Sequence, residues 1–389
     1  MNYILFDEPT LRTNLLPLTF TRPIAEIRCG IRTITEKWAD FLGETPSFLT
    51  QDYLQAKYQL IAEEDNIFIN GAFFPDQKLV DTILRLPLNT GLFFEKNLIA
   101  FRGKNLDFAP KNSQQLTEKQ SFLANLPAIF IENSSQISAD FQRISSQKTS
   151  QIITDKYTMV YNQSQVFVEE GATLKACILN AENGPIYIGK NAQVQEGAVV
   201  QGPFALGEES VLNIGAKIRP GVSIGPGSKV GGEVSMSVFQ GYANKAHDGY
   251  LGCSVIGEWC NLGANTNCSN LKNDWTNVKL YNYDSQQLED TGKQFVGLFM
   301  GDFTKVGIST MFNTGTIVGV SANVFGAGFQ DKFIPSFSWG GADTKIETYR
   351  FDKALAVAKA TMARRKISMT DAEAKILEVI ATLDIQPNV

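Results

Sequence analysis

The chain has 389 residues, more than one ordinary hydrophobic core organises, so two domains with an appendage are expected. Hydrophobic residues make up 43% and charged residues 19%, a balance that excludes a disordered or fibrous protein. The net charge of −5, with no large basic block, speaks against nucleic acid as a partner. A single histidine excludes any mechanism that needs two or three imidazoles from one subunit.

The N-terminal stretch MNYILFDEPT has no basic segment before its short apolar run, and no apolar run reaches the length of a membrane span. Cys29, Cys177, Cys253, Cys260 and Cys268 form no CxxC pair and no disulfide frame. A cytoplasmic protein with reduced thiols and no membrane contact is expected.

Residues 1–160 read as an α/β domain, with strand-like NYILF and NIFIN alternating with the helical stretch DYLQAKYQLIAEE. The segment RTNLLPLTFTRPIAEIRCGI resembles the N-terminal signature of sugar-nucleotide pyrophosphorylases. The match is closest to a divergent branch of sugar nucleotidyltransferases fused to acyltransferase solenoids. That resemblance makes Arg12, Arg22 and Arg28 candidate phosphate ligands, although scattered surface arginines would look the same. Three departures stand out. FDEPTLRT replaces the family's G-x-G-T phosphate loop, and Ile24 stands near the expected lysine. Ala72 follows Asn70-Gly71 where the family has its magnesium-binding aspartate, and Asp76 lies four residues on. Magnesium stays a candidate cofactor with no ligand set assigned, and binding is expected to outlast catalysis here.

From Ile188 an aliphatic residue recurs every six positions: Ile188, Val194, Val200, Leu206, Leu212, Ile218, Ile224, Val230. If about a quarter of residues are such aliphatics, eight in a row has a chance probability on the order of 10⁻⁵. Neither the helical period nor strand alternation gives a step of six, whereas a flat-sided coil does. The register resumes at Tyr250, Ile256, Leu262, Cys268 and again at Met300, Val306, Phe312, Val318, Val324. Residues 271–299 between these sets read as an inserted hairpin or loop. A solenoid of parallel strands from roughly 165 to 330 follows, within a domain expected to span 161–345.

This repeat is the signature of the left-handed parallel β-helix of hexapeptide acyltransferases, whose handedness comes from the resemblance rather than the spacing. The runs AKIRPGVSIGPGSKVGGEV and NKAHDGYLGCSVIGEWCNLGANTNCSNL resemble the acetyltransferase half of the bifunctional N-acetylglucosamine-1-phosphate uridylyltransferase/glucosamine-1-phosphate acetyltransferase family. The resemblance implies that His247 is a general base, which suits an imidazole titrating near neutrality. It implies that Arg219, Tyr250, Asn261 and Asn270 hold the sugar phosphate. It places the acetyl-CoA contacts at Ala264, Ser309 and Gly326. Ser237 stands where the family has a substrate lysine, and Ile308 replaces a serine of the thioester pocket. Asp248 is a candidate to orient the imidazole. Solenoids of this family assemble as homotrimers with each site between two subunits.

Residues 346–389 read as helical, with amphipathic spacing at Phe351, Leu355, Ala358, Met362 and at Ile376, Leu377, Ile380, Leu383. Ala363-Arg364-Arg365-Lys366 closes the first helix, where basic side chains complement the helix dipole and also offer charge to CoA phosphates. The leading reading is acetyl transfer from acetyl-CoA to an amino-sugar 1-phosphate, glucosamine 1-phosphate first, in UDP-N-acetylglucosamine synthesis. The alternatives are a sugar-1-phosphate uridylyl- or thymidylyltransferase whose solenoid mainly trimerises the protein, and a non-catalytic sugar-nucleotide sensor.

Overall fold

The computed structural model describes residues 2–383. The N-terminal domain is built on a six-stranded sheet. Its first strand, Asn2–Phe6, pairs in parallel with Ser47–Leu49 on one side and Asn66–Asn70 on the other. Ile4, Leu5 and Phe6 are all buried, so this strand is covered on both faces. Helix Ile34–Leu42 begins at a capping box between Thr33 and Glu36 and drives Trp38 into the core. The domain ends in the long helix Leu126–Gln147.

The chain then winds into a solenoid of three sheets with eight, nine and ten strands. It begins at Met159–Tyr161, before the repeat becomes legible, and the coils continue to Ser338–Gly341. The solenoid strands pair in parallel except the last, Thr344–Thr348, which turns back antiparallel. The repeating aliphatics from Ile188 to Val230 are all buried, and equivalent ones stack: Ile188 on Leu206 on Ile224. Small hydroxyl residues occupy the corners, where Ser210, Ser228 and Ser254 donate to or accept from backbone groups of neighbouring coils.

One part of the register is corrected. Leu251, not Tyr250, lies in the inward stack, paired with Val234 and Cys268, so Tyr250 is released to the outside. The chain between Val230 and Leu251 is three residues shorter than four hexads require, which breaks the six-residue phase. Within that stretch Lys245 takes the place paired with Val230. The segment 271–299 does contain a hairpin, Lys279–Asn282 against Gln287–Asp290.

The N-terminal domain docks along the side of the solenoid. Outward residues of the nine-stranded sheet, Val238, Val255, Phe299 and Ile317, share a core with the N-terminal domain. Phe130 of the long helix stacks on Phe299 with ring centroids 6.2 Å apart. Each fully buried large apolar side chain contributes about 1.5–3 kcal/mol, so this seam is a substantial interface. Helices Phe351–Ala363 and Asp371–Leu383 close a second seam, where Ala358, Ile376 and Ile380 meet Leu16 and Phe20 of one domain and Val320 and Phe337 of the other. Leu383 is exposed, so the expected apolar stripe stops at Ile380. The five cysteines are buried free thiols; burial raises those of Cys260 and Cys268 far above the ordinary range. Among the described residues no helix is long and apolar enough to cross a membrane.

Candidate functional site

His247 sits on the turn between strands Asn244–Lys245 and Tyr250–Gly252, where the ten-stranded sheet gives way to the eight-stranded one. The turn is held from three sides. Asn213 donates its amide to the Ala246 carbonyl at 2.8 Å. The Lys245 ammonium folds beneath and donates to the carbonyls of Gly231, His247 and Gly249 at 3.0, 3.1 and 2.8 Å. Gly249 has φ +127°, and a Cβ there would meet the Thr266 carbonyl oxygen at 2.1 Å, so only glycine closes the turn.

Lys245 is only 2% exposed, and burial pulls its ammonium down to about 8 despite the nearby Asp248 carboxylate. It is a cation placed in a stack of aliphatics, satisfied by carbonyls rather than by a counter-ion. Sequence reasoning missed it. The signal was there, as a lysine paired with Val230, but the broken phase hid it.

The imidazole itself is exposed and faces an open groove of about 850 Å³ lined also by Gln193, Asn213, Lys229 and Asn244. Among the described residues no carboxylate pairs with it, and Asp248, exposed beside it, makes no bond to the ring. His247 is therefore a free imidazole on a rigid turn.

The other sugar-phosphate candidates divide between two faces. Tyr250 and Asn270 lie together on the eight-stranded face; the Asn270 amide also donates to the Cys253 sulfur at 3.3 Å. Burial chiefly, with the charge of Glu233 among lesser causes, raises the Tyr250 phenol above its ordinary value. Arg219 is exposed on the same face and already bonds Glu233 at 2.7 Å. Asn261 lies round the corner on the ten-stranded face, accepting from the Asn244 amide at 2.7 Å. Among the thioester candidates, Ser309 donates its N–H to the Ala264 carbonyl at 2.7 Å, stacking two consecutive turns. Gly326 begins the corresponding turn one coil on, with φ +114° and Asp343 beside it.

In the N-terminal domain the three arginines are engaged within the protein. Arg12 donates to the Thr19 carbonyl at 2.6 Å and to the Tyr53 hydroxyl at 2.8 Å, with Asp7 3.6 Å away. Arg22 is buried and ion-paired with Asp302 of the solenoid; burial pulls its guanidinium down, and Asp302 and Glu258 more than offset this, raising it overall. Arg28 bonds to both ends of Gln240 on the solenoid. Two of the three therefore tie the domains together.

The carboxylates there are also committed. Asp7 accepts from the Ile24 N–H and the Thr50 hydroxyl, and Asp76 caps helix Gln77–Leu84 by accepting from the Leu79 N–H. Glu8 caps the short helix Pro9–Asn14 that stands where a glycine loop would wrap phosphates. Ala72 is fully buried beside Asn70, whose amide is spent on the backbone. These residues do not fit a magnesium site, and the described residues hold no cluster of three metal-binding side chains.

Comparison with known proteins decides the class of this domain. Residues 3–149 match the family model for sugar nucleotidyl transferase. The N-terminal domain is a sugar nucleotidyltransferase domain. The chain is 39% identical over 106 residues to the bifunctional protein GlmU of Methanocaldococcus jannaschii, covering 27% of this chain and 25% of that one. It is 28% identical over 144 residues to a bifunctional sugar-1-phosphate nucleotidylyltransferase/acetyltransferase of Sulfurisphaera tokodaii, 36% and 35% of the two chains. It is 25% identical over 173 residues to the uncharacterized acetyltransferase YaiX of Escherichia coli strain 536, 44% and 74% of the two. The matched part thus spans a quarter of the first of these relatives and three quarters of the last.

Proposed function

We propose that the solenoid catalyses acyl transfer from acyl-CoA, acetyl-CoA first, to the amino group of a sugar 1-phosphate, with His247 as general base. The observation that carries this reading is a free, exposed imidazole on a turn rigidly held by Lys245 and Asn213 beside a polar groove. The names of two relatives, an acetyltransferase and a bifunctional nucleotidylyltransferase/acetyltransferase, support the acyl class.

The chemistry follows from the groups present. The sugar nitrogen attacks the thioester carbonyl as the free amine, its ammonium proton having passed to solvent, and a neutral imidazole accepts the second proton as the N–C bond forms. The thiolate then leaves from the collapsing tetrahedral adduct and takes a proton back. Backbone N–H groups of the solenoid turns are suited to stabilise the adduct oxyanion. Tyr250 and Asn270, with Arg219 beyond them, are suited to the sugar phosphate, while Asn261 stands on the other side of the corner. Candidate groups split over two faces that meet at an edge suit a site completed by a second copy of the chain. The sugar nucleotidyltransferase domain is read as a binding and docking element beside that site.

The test follows free thiol on incubation with acetyl-CoA and glucosamine 1-phosphate. Thiol release that drops about 10²-fold in His247→Ala, with the melting curve unchanged, supports the reading. More than a tenth of wild-type turnover in that variant would sink the base assignment.

A further inference from the structure

On the ten-stranded face the outward column running across the coils reads Lys229, Asn244, Asn261, Lys305, paired strand to strand in one register. The end of helix Phe351–Ala363 comes down over this column and brings Arg364 and Arg365. Between them lies a cavity of about 450 Å³. Four cations line it and no carboxylate does. Among the described residues none of the four takes part in an ion pair, whereas Arg219 has Glu233 and Lys57 has Glu373. Lys305 is largely withdrawn from water and donates to the Trp259 carbonyl, a neutral acceptor.

Gathering four like charges around a partly dry cavity is unfavourable unless an anion enters it. We propose that this cavity binds the phosphate groups of a nucleotide ligand. The two lysines are three strand spacings apart, roughly 14 Å at the usual inter-strand distance. Their ammonium groups therefore suit two separated phosphates rather than one, and the guanidinium forks of Arg364 and Arg365 offer bidentate contacts to either. The Asn244 and Asn261 amides between the lysines add neutral donors.

Lys229 and Asn244 line both this cavity and the groove of His247, so the two spaces adjoin. A ligand with its phosphates here extends its other end toward the imidazole. The shared chemistry, a nucleotide carrying several phosphates, belongs to the nucleotide end of acyl-CoA and to a sugar nucleotide. The choice of acyl-CoA rests on the acyl-transfer reading above; the phosphate site does not.

The experiment is calorimetric titration of the full chain with adenosine 3′,5′-bisphosphate and, separately, with uridine diphosphate. The proteins compared are wild type, Lys305→Met, the double variant Arg364→Ala/Arg365→Ala, and His247→Ala. The expected result is bisphosphate binding that weakens at least tenfold in Lys305→Met and in the double arginine variant and is kept in His247→Ala. Uridine diphosphate alone showing this pattern would retain the phosphate site and overturn acyl-CoA as its occupant. Binding of both probes unchanged in variants that melt as wild type would overturn the site itself. Loss of turnover in His247→Ala with binding intact separates the two proposals.

Discussion

The ammonium of Lys245 donates to the backbone carbonyl of His247 at 3.1 Å from inside the solenoid. The one histidine is thus carried by a turn whose floor is a buried lysine, which acts as a positioning residue. Lys245→Met keeps the length and apolar packing of the side chain but leaves three carbonyls without their donor. Turnover should fall at least tenfold while adenosine 3′,5′-bisphosphate still binds. A pH signature separates this from simple damage. The ammonium is held near 8 in the fold against 10.5 ordinarily, because burial disfavours its charge. Below pH 8 both states keep the proton and the burial cost is complete. Between 8 and 10.5 the unfolded chain binds more protons than the fold, so this group's contribution to stability rises with pH. The melting temperature of wild type minus that of Lys245→Met should therefore increase from pH 8 to pH 10. Parallel curves would contradict the assignment.

The Lys305 ammonium, also lowered to about 8 chiefly by burial, gives the phosphate cavity its own pH dependence. The groups facing it are the cations Lys229, Arg364 and Arg365, the Tyr242 phenol and the Cys260 thiol. The arginines stay charged throughout and the thiol stays protonated. Affinity for adenosine 3′,5′-bisphosphate should fall several-fold as pH rises from 7 to 9.5, and Lys305→Met should flatten that slope. An equal slope in both proteins would assign the effect elsewhere.

Arg22 and Asp302 form a buried pair between the domains. Asp302→Ala strands the guanidinium without its main counter-ion and should cost about 3–5 kcal/mol, measured by denaturant unfolding. Adding Arg22→Met should recover much of the loss, because the uncompensated charge goes with it. If Asp302→Ala unfolded at the wild-type midpoint, the pair would not hold the seam.

Nucleotidyl transfer requires donors around a triphosphate and a metal beside it. With Asp7 and Asp76 bonded to backbone and Ala72 buried, pyrophosphate release from UTP and N-acetylglucosamine 1-phosphate in magnesium should stay at background. Robust release would show that another set of residues does the chemistry. Arg22→Ala is a poor control in that assay, since it also disturbs the domain seam.

Assembly is checked by light scattering, which should give about three times the 42.9 kDa mass of one chain. Full turnover by a stable monomer would show that one chain completes the site alone.

Chain-local information was enough for the solenoid. A six-residue step of aliphatics has one geometric solution, and Ile188 to Val230 occupy it as spaced. The C-terminal helices were equally legible from local pattern, while 271–299 was legible only as an insertion, hairpin or loop. Tyr250 was not, because the inward step from Leu251 to Ile256 is five residues rather than six, and only the pairing of Leu251 with Val234 and Cys268 reveals it.

The docking of the domains lay beyond the sequence for a different reason. Arg22 and Arg28 look like phosphate ligands in a motif, but their partners Asp302 and Gln240 lie more than two hundred residues away. Whether a basic side chain meets a ligand or a carboxylate depends on which surfaces are brought together. The same holds in reverse for Arg364 and Arg365, whose place in the sequence suits a solvated helix end and phosphate contacts alike until the fold lays them over Lys229 and Lys305. The sequence by itself determined the coil and its inward residues from Ile188 to Val230, because those follow from spacing. Tertiary structure alone decided which charges are neutralised and which still face open space, because Coulomb energy and desolvation depend on distances that spacing along the chain does not record.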